Sequence, residues 1–217
     1  MTTPANPPRA GLHIVEPAGP DDAAVLAQVI ADAFDDLAVS RWLVPDPGTR
    51  RAIFPGYFAL HVGHALDRGR VLTTPDRDGV ALWLPVPAGG PGEPPAGYHA
   101  RLAALAGQHL ARFQALDHAL DRHYPDGPAH EHLAVLAVRP DRQRLGIGSA
   151  LLIARHGTHD RNGTPAYLEA SDPAKAAIYR THGYTDLPAP IQLPGGPAMY
   201  PMWRQPGGGT RPGGQRS

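Results

Sequence analysis

The chain has 217 residues, with 20 Lys+Arg against 20 Asp+Glu, 12 His, no cysteine, 25 glycines and 26 prolines. That length predicts one domain with a core that needs no staple. Absent cysteine excludes disulfides, a thiol nucleophile and a cysteine-ligated metal, and zero formal net charge argues against nucleic acid as the main partner.

No apolar run approaches the roughly 18 residues a membrane span needs, and the N-terminus lacks a signal-peptide pattern. A cytoplasmic protein that avoids membranes is therefore expected. Residues 1–10 and 205–217 are Pro/Gly-rich and unpatterned, and are expected to be disordered tails on a single domain spanning 11–204.

Leu12–Val15 reads as a first strand. Asp21 and Asp22 precede a helix over Ala23–Phe34, where Val25, Leu26, Val29, Ile30 and Phe34 recur at helical spacing. Thr49 is the expected cap of a second helix that carries Ile53, Tyr57, Leu60, His61 and His64 and ends near Gly69. Arg70–Thr74 and Val80–Val86 read as strands around a turn at Pro75–Gly79. Pro85 to Gly97 is too rich in proline for a helix and too rich in glycine for a strand, and predicts a long loop or lid beside a site. A helix is expected over 98–122. His132–Val138 reads as a buried central strand, followed by a helix over 147–162, a strand over 166–170, a short helix over 174–181 and strands near 184–193 and 198–204. This order predicts an α+β fold, close to a three-layer α/β arrangement, with one mixed sheet flanked by helices.

The most informative stretch follows the central strand. After Pro140 and a polar turn, Gly146-Ile147-Gly148 opens a helix. Glycine lets a ligand approach the backbone, and first-turn N–H groups have no intrahelical partner. Together with the helix dipole, and with Arg142 and Arg144 nearby, they suit a phosphate or pyrophosphate. A dinucleotide fingerprint fails because Leu151 stands where the third glycine belongs, and a Walker loop fails for want of a lysine. A strand–helix turn without ligand remains the plain alternative.

Gln143-x-x-Gly146-x-Gly148 resembles the Q/R-x-x-G-x-G/A signature of the GNAT superfamily of acetyl-CoA-dependent N-acetyltransferases. The flanks Tyr167-Leu168-Glu169-Ala170-Ser171 and Ile178-Tyr179-Arg180-Thr181-His182-Gly183-Tyr184 are similar to its following strand and tyrosine-bearing segment. Val80-Ala81-Leu82-Trp83, Leu168-Glu169-x-Ser171 and Met202-x-Arg204 are further similar to puromycin N-acetyltransferase-type actinobacterial enzymes. The resemblance implies the GNAT fold, with a mostly antiparallel mixed sheet, and acetyl-CoA as co-substrate.

It also implies roles for individual residues. Backbone groups of Leu136, Ala137 and Val138 would meet the pantetheine arm. Gln143, Arg144, Leu145, Gly146, Ile147, Gly148 and Ser149 would wrap the pyrophosphate. Asp172 stands where many relatives carry a cofactor-contacting Asn, and as a carboxylate it can accept but not donate. Tyr179 matches the tyrosine that contacts the cofactor and protonates the leaving thiolate.

The base is left open among Glu131, His132 and Glu169. Strand alternation puts His130 and His132 on one face and Glu131 on the other. An imidazole titrates in the useful range, and a glutamate would serve if burial raised its pKa. His130-x-His132 is at best a partial metal pattern, so no metal is expected. Trp83, Phe34 and Tyr57 are the expected aromatic walls for the acceptor. No acidic cluster is visible that would favour a polycationic acceptor.

The expected activity is acetyl transfer to a primary amine of a small molecule by a monomer or homodimer. The alternatives are a protein N-terminal or lysine acetyltransferase and a non-catalytic acyl-CoA-binding module.

Overall fold

The computed structural model describes residues 13–207. The tail expected at 1–10, most of that at 205–217, and Leu12 lie outside the described residues. Strand β1 is Glu16–Pro17, shorter than and downstream of the strand expected at Leu12–Val15. Helix α1 occupies Ala23–Phe34 and buries Leu26, Val29 and Ile30, the stripe its spacing predicts. A six-residue helix, α2, follows at Ala38–Leu43.

Helix α3 runs over Pro47–Arg68. Its cap is Asp46, not Thr49: Asp46 Oδ2 accepts the Thr49 backbone N–H at 2.7 Å, and Pro47 takes the first helical position. The helix expected over 98–122 is two. Gly107, at φ 51°, stops α4 (Tyr98–Ala106), and α5 (Leu110–Arg122) restarts after a 3-10 turn.

The remaining strands are β2 (Arg70–Thr73), β3 (Gly79–Val86), β4 (His130–Val138), β5 (Ala166–Ala170), β6 (Thr185–Asp186), β7 (Ile191–Gln192) and β8 (Ala198–Arg204). Helix α6 is Ile147–Asn162 and α7 is Pro173–Thr181. Neighbouring strands run β1-β2-β3-β4-β5-β8-β6, with β7 beside β8, and only the β4/β5 pair is parallel. The sheet is open and mixed, with helices on both faces. No described helix is long and apolar enough to cross a membrane.

Each sheet face has its own core. Val80, Leu82, Val135 and Ala137 pack under α1, α3, α4 and α5. Ala81, Trp83, Leu133 and Leu168 pack under α6 and α7 with Ile147, Leu151, Leu152 and Ala176.

Two irregularities in β4 position the site. Leu82 pairs with Val135 but Trp83 pairs with Leu133, so Ala134 is an extra residue in the ladder. A bulge of this kind inverts the facing of every side chain beyond it. Ala134, Val135 and Ala137 face the α1–α5 side, while Leu133, Leu136 and Val138 face α6. Continued past the bulge, the alternation turns His130 and His132 toward α5 and Glu131 toward α6. The second irregularity is a fork. Pairing of β4 with β5 is confined to Glu131↔Ala166 and His132↔Tyr167. Beyond His132 the two strands part, and the edge of β4 that faces β5 is without a ladder partner.

Candidate active site

At the crotch of the fork, His132 Nε2 lies 2.8 Å from Glu169 Oε2. The side chains are 18% and 7% exposed, so the pair is mostly dry yet reachable. A carboxylate can only accept, so Nε2 carries the proton and Nδ1 is left as the basic nitrogen. Glu169 Oε1 is buried without a partner among the described residues. The Tyr167 and Tyr124 rings flank the His132 ring at 5.3 and 5.7 Å. His61, pushed down to about 4 chiefly by burial, is a neutral neighbour.

Glu131, the third candidate base, is turned away from this pair. Its carboxylate accepts Arg155 Nε at 2.7 Å and His159 Nε2 at 2.9 Å, both from α6. Burial alone would raise its pKa, but these hydrogen bonds outweigh burial and hold it at about 2. A carboxylate that acidic is a poor proton acceptor at neutral pH, and it sits on the α6 side of the sheet.

His130 has both nitrogens engaged, Nε2 with the Tyr124 hydroxyl and Nδ1 with the Pro128 carbonyl, each at 2.9 Å. Among the described residues, no group of three or more His, Asp or Glu could hold a metal ion.

The expected aromatic walls also need correction. Trp83 is fully buried on the α6 side, its ring 5.0 Å from that of His159. Tyr57 is buried against Phe113 and Phe58, at 4.9 and 5.0 Å. Phe34 meets Phe58 edge-on at 5.5 Å. Trp83 and Tyr57 are core residues, Phe34 is half-buried against that core, and none of the three lines the cavity described next.

That cavity, of about 710 Å³, opens beside the pair and is lined by His132 and Glu169 themselves. Its walls include His64 of α3, Leu84 and Val86 of β3, Leu120 of α5, and Tyr124. Pro87, Pro91 and Pro94 of the 87–97 loop form another side, where the sequence predicts a lid. Sequence reasoning places His64 only on a helix and does not single out Tyr124. Tyr124 stands just past α5, in step with Leu120, and a helical-register reading extended by one turn would have found it.

The turn between β4 and α6 has the backbone its glycines suggest. Gly146 caps α6 at φ 90°, and the first turn has no side-chain cap, so its N–H groups are open. Arg144 also takes a left-handed φ of 64°, a strained conformation for a residue with a Cβ. Gln143 Nε2 donates to the Val138 carbonyl at 3.2 Å, tying the loop to the strand end. Ser149 Oγ lies 3.1 Å from His182 Nε2.

Asp172 is the N-cap of α7. It accepts the Lys175 backbone N–H at 2.8 Å and the Ser171 hydroxyl at 3.1 Å. The Tyr179 hydroxyl is raised above its ordinary pKa by burial and by the Asp172 charge, so it is protonated at neutral pH.

Residues 104–186 match the acetyltransferase (GNAT) domain family. A Corynebacterium glutamicum structure of "histone acetyltransferase HPA2 and related acetyltransferase" is similar over 89% of this chain and 96% of its own, at 23% identity and a TM-score of 0.69. Arylalkylamine N-acetyltransferase 2 from Aedes aegypti is similar over 88% and 98%, at 11% identity and a TM-score of 0.57. At such identities the likeness is one of fold.

Proposed function

We propose that this chain, which carries a GNAT acetyltransferase domain, transfers an acetyl group from acetyl-CoA directly to a primary amine of a small molecule. Similar folds include proteins named for histones and proteins named for arylalkylamines, so fold does not choose the acceptor. The observation that carries the reading is the cavity, walled by the 87–97 loop and floored by His132 and Glu169 at the fork. A cavity with the loop as one of its walls suits a small molecule better than a peptide, which needs a continuous open groove.

Acetyl-CoA brings an acyl group already activated as a thioester. The residues present fit it. Open amides at Gly146, Ile147, Gly148 and Ser149, with Gln143, Arg144 and Leu145 before them, make a cradle for a pyrophosphate. Without a ladder partner in β5, the edge of β4 at Leu136, Ala137 and Val138 offers backbone groups to a pantetheine arm, the Val138 carbonyl being the one already taken by Gln143 Nε2. One of those amides would polarise the acetyl carbonyl. His132 Nδ1 takes the proton from the acceptor ammonium, and Glu169 orients the ring and steadies the imidazolium that results. Tyr179 holds a proton for the departing sulfur. Burial of Glu169 and the packed Tyr124 and Tyr167 rings limit water at the point of transfer.

The test is thiol release from acetyl-CoA across a panel of small primary amines, puromycin-like aminonucleosides and peptides. Turnover with small amines and not with peptides is expected. Turnover with peptides alone would replace the acceptor class. Acetyl-CoA binding without any turnover would leave a binding module.

A further inference from the structure

Four carboxylates line the cavity, although they stand far apart in the sequence: Asp67 of α3, Glu93 of the 87–97 loop, Asp121 of α5 and Glu169 of β5. Direct transfer to one amine accounts for Glu169 alone. Asp67 is ion-paired with Arg68 at 2.8 Å, and these two charges offset each other. His64, on the same wall, is held below its ordinary pKa by burial and by the Arg68 charge, with the Asp67 charge opposing them. Glu93 and Asp121 have no ion-pair partner among the described residues, and both are exposed at the outer wall. Glu169 is the opposite extreme: its side chain is 7% exposed, and Oε1 is buried without a partner. Negative charge therefore runs from the mouth of the cavity to its floor.

Tyr124 stands three residues after Asp121 and lines the same wall. Its ring lies edge-on to His132 at 5.7 Å, and its hydroxyl is tied to His130, which fixes the ring in place. A cation entering along this wall meets a carboxylate at the mouth, an aromatic ring in between and a carboxylate at the floor.

We infer that the preferred acceptor is dicationic: one primary amine reaches His132 and Glu169, and a second ammonium or guanidinium group is held at the mouth by Asp121 and Glu93. The inference rests on the acetyl-transfer reading and narrows its substrate class. The second cation does not take part in the chemistry, so its contribution falls on KM and binding, not on kcat. A monoamine leaves Asp121 and Glu93 in contact with water, at no cost.

The experiment compares a short α,ω-diamine with the n-alkylamine of equal length, using the full chain and its Asp121→Asn, Glu93→Gln and double variants. At low salt the diamine is expected to show a KM about tenfold below that of the monoamine, the sum of two exposed charge contacts. The double variant is expected to remove that difference by raising the diamine KM, with the monoamine KM and both kcat values unchanged. High salt is expected to shrink the wild-type difference in the same way. A double variant that weakens both amines equally, or neither, overturns the inference.

Calorimetric binding of the two amines in the presence of CoA gives a second reading that needs no turnover. If no amine is acetylated, the acetyl-transfer reading fails, and this binding comparison still decides the present one. A diamine that binds no tighter than the monoamine refutes it.

Discussion

Replacing His132 by Ala is expected to lower kcat by about 10²–10⁴-fold, the range associated with loss of a positioned general base. Acetyl-CoA affinity is expected to stay within about twofold of wild type, because the proposed cofactor contacts are backbone groups of β4 and the Gly146 turn. Glu169→Gln is the informative companion. It keeps the shape and one hydrogen bond to Nε2 but removes the charge that steadies the imidazolium. It is expected to reduce kcat less than His132→Ala does and to move the ascending limb of the kcat/KM pH profile toward lower pH. That displacement separates a proton-transfer role from a structural one. A purely structural pair would lose rate at every pH alike, with the limb in place.

Glu131→Ala is expected to act on the other side of the ledger. Removing this carboxylate strands Arg155 and His159 beneath α6, where the arginine side chain is 14% exposed and the histidine 1%. Breaking a buried pair in this way costs about 3–5 kcal/mol of stability. The folded fraction is expected to keep its kcat, because Glu131 faces away from the cavity.

The same residue sets an acid limit. Its folded pKa of about 2 lies below the ordinary value of 4.5, so the stability it contributes is complete above pH 4.5. That contribution, on the order of 3 kcal/mol, is lost as pH falls from 4.5 toward 2. Urea unfolding across this interval is expected to show a steeper loss for wild type than for Glu131→Ala. Parallel curves, or a variant that unfolds normally but has lost its turnover, would return Glu131 to the chemistry.

These two predictions part because of one residue that the sequence does not announce. Alternation along β4 is legible: His130 and His132 share a face and Glu131 takes the other. Which face meets the cavity is not, because the answer depends on Ala134 standing as an extra residue opposite Leu82 and Trp83. Nothing local to an alanine between two apolar neighbours marks a bulge.

Trp83 departs from its expected place for a related reason. A tryptophan before a Pro-bearing loop suggests a substrate wall, but its strand parity sends the ring under α6. By contrast, α1, α6 and β5 begin and end where the sequence places them, because apolar spacing and the Gly146 turn are local signals. The cap of α3 stands three residues before Thr49, since Asp46 and Thr49 are both good caps and only Asp46 reaches the first-turn amide.

The acidic lining of the cavity lay beyond any local reading. Asp67, Glu93, Asp121 and Glu169 become neighbours only through tertiary packing.

The fork between β4 and β5 is the proposed meeting place of the acetyl group and the amine. A crystal structure of the protein with CoA bound tests this most directly. The pyrophosphate is expected against the amides of Gly146 through Ser149, the pantetheine along the free edge of β4 at Leu136–Val138, and the sulfur next to His132 and Glu169. A CoA molecule whose sulfur ends away from His132 and Glu169, or whose arm avoids the fork, would contradict the account.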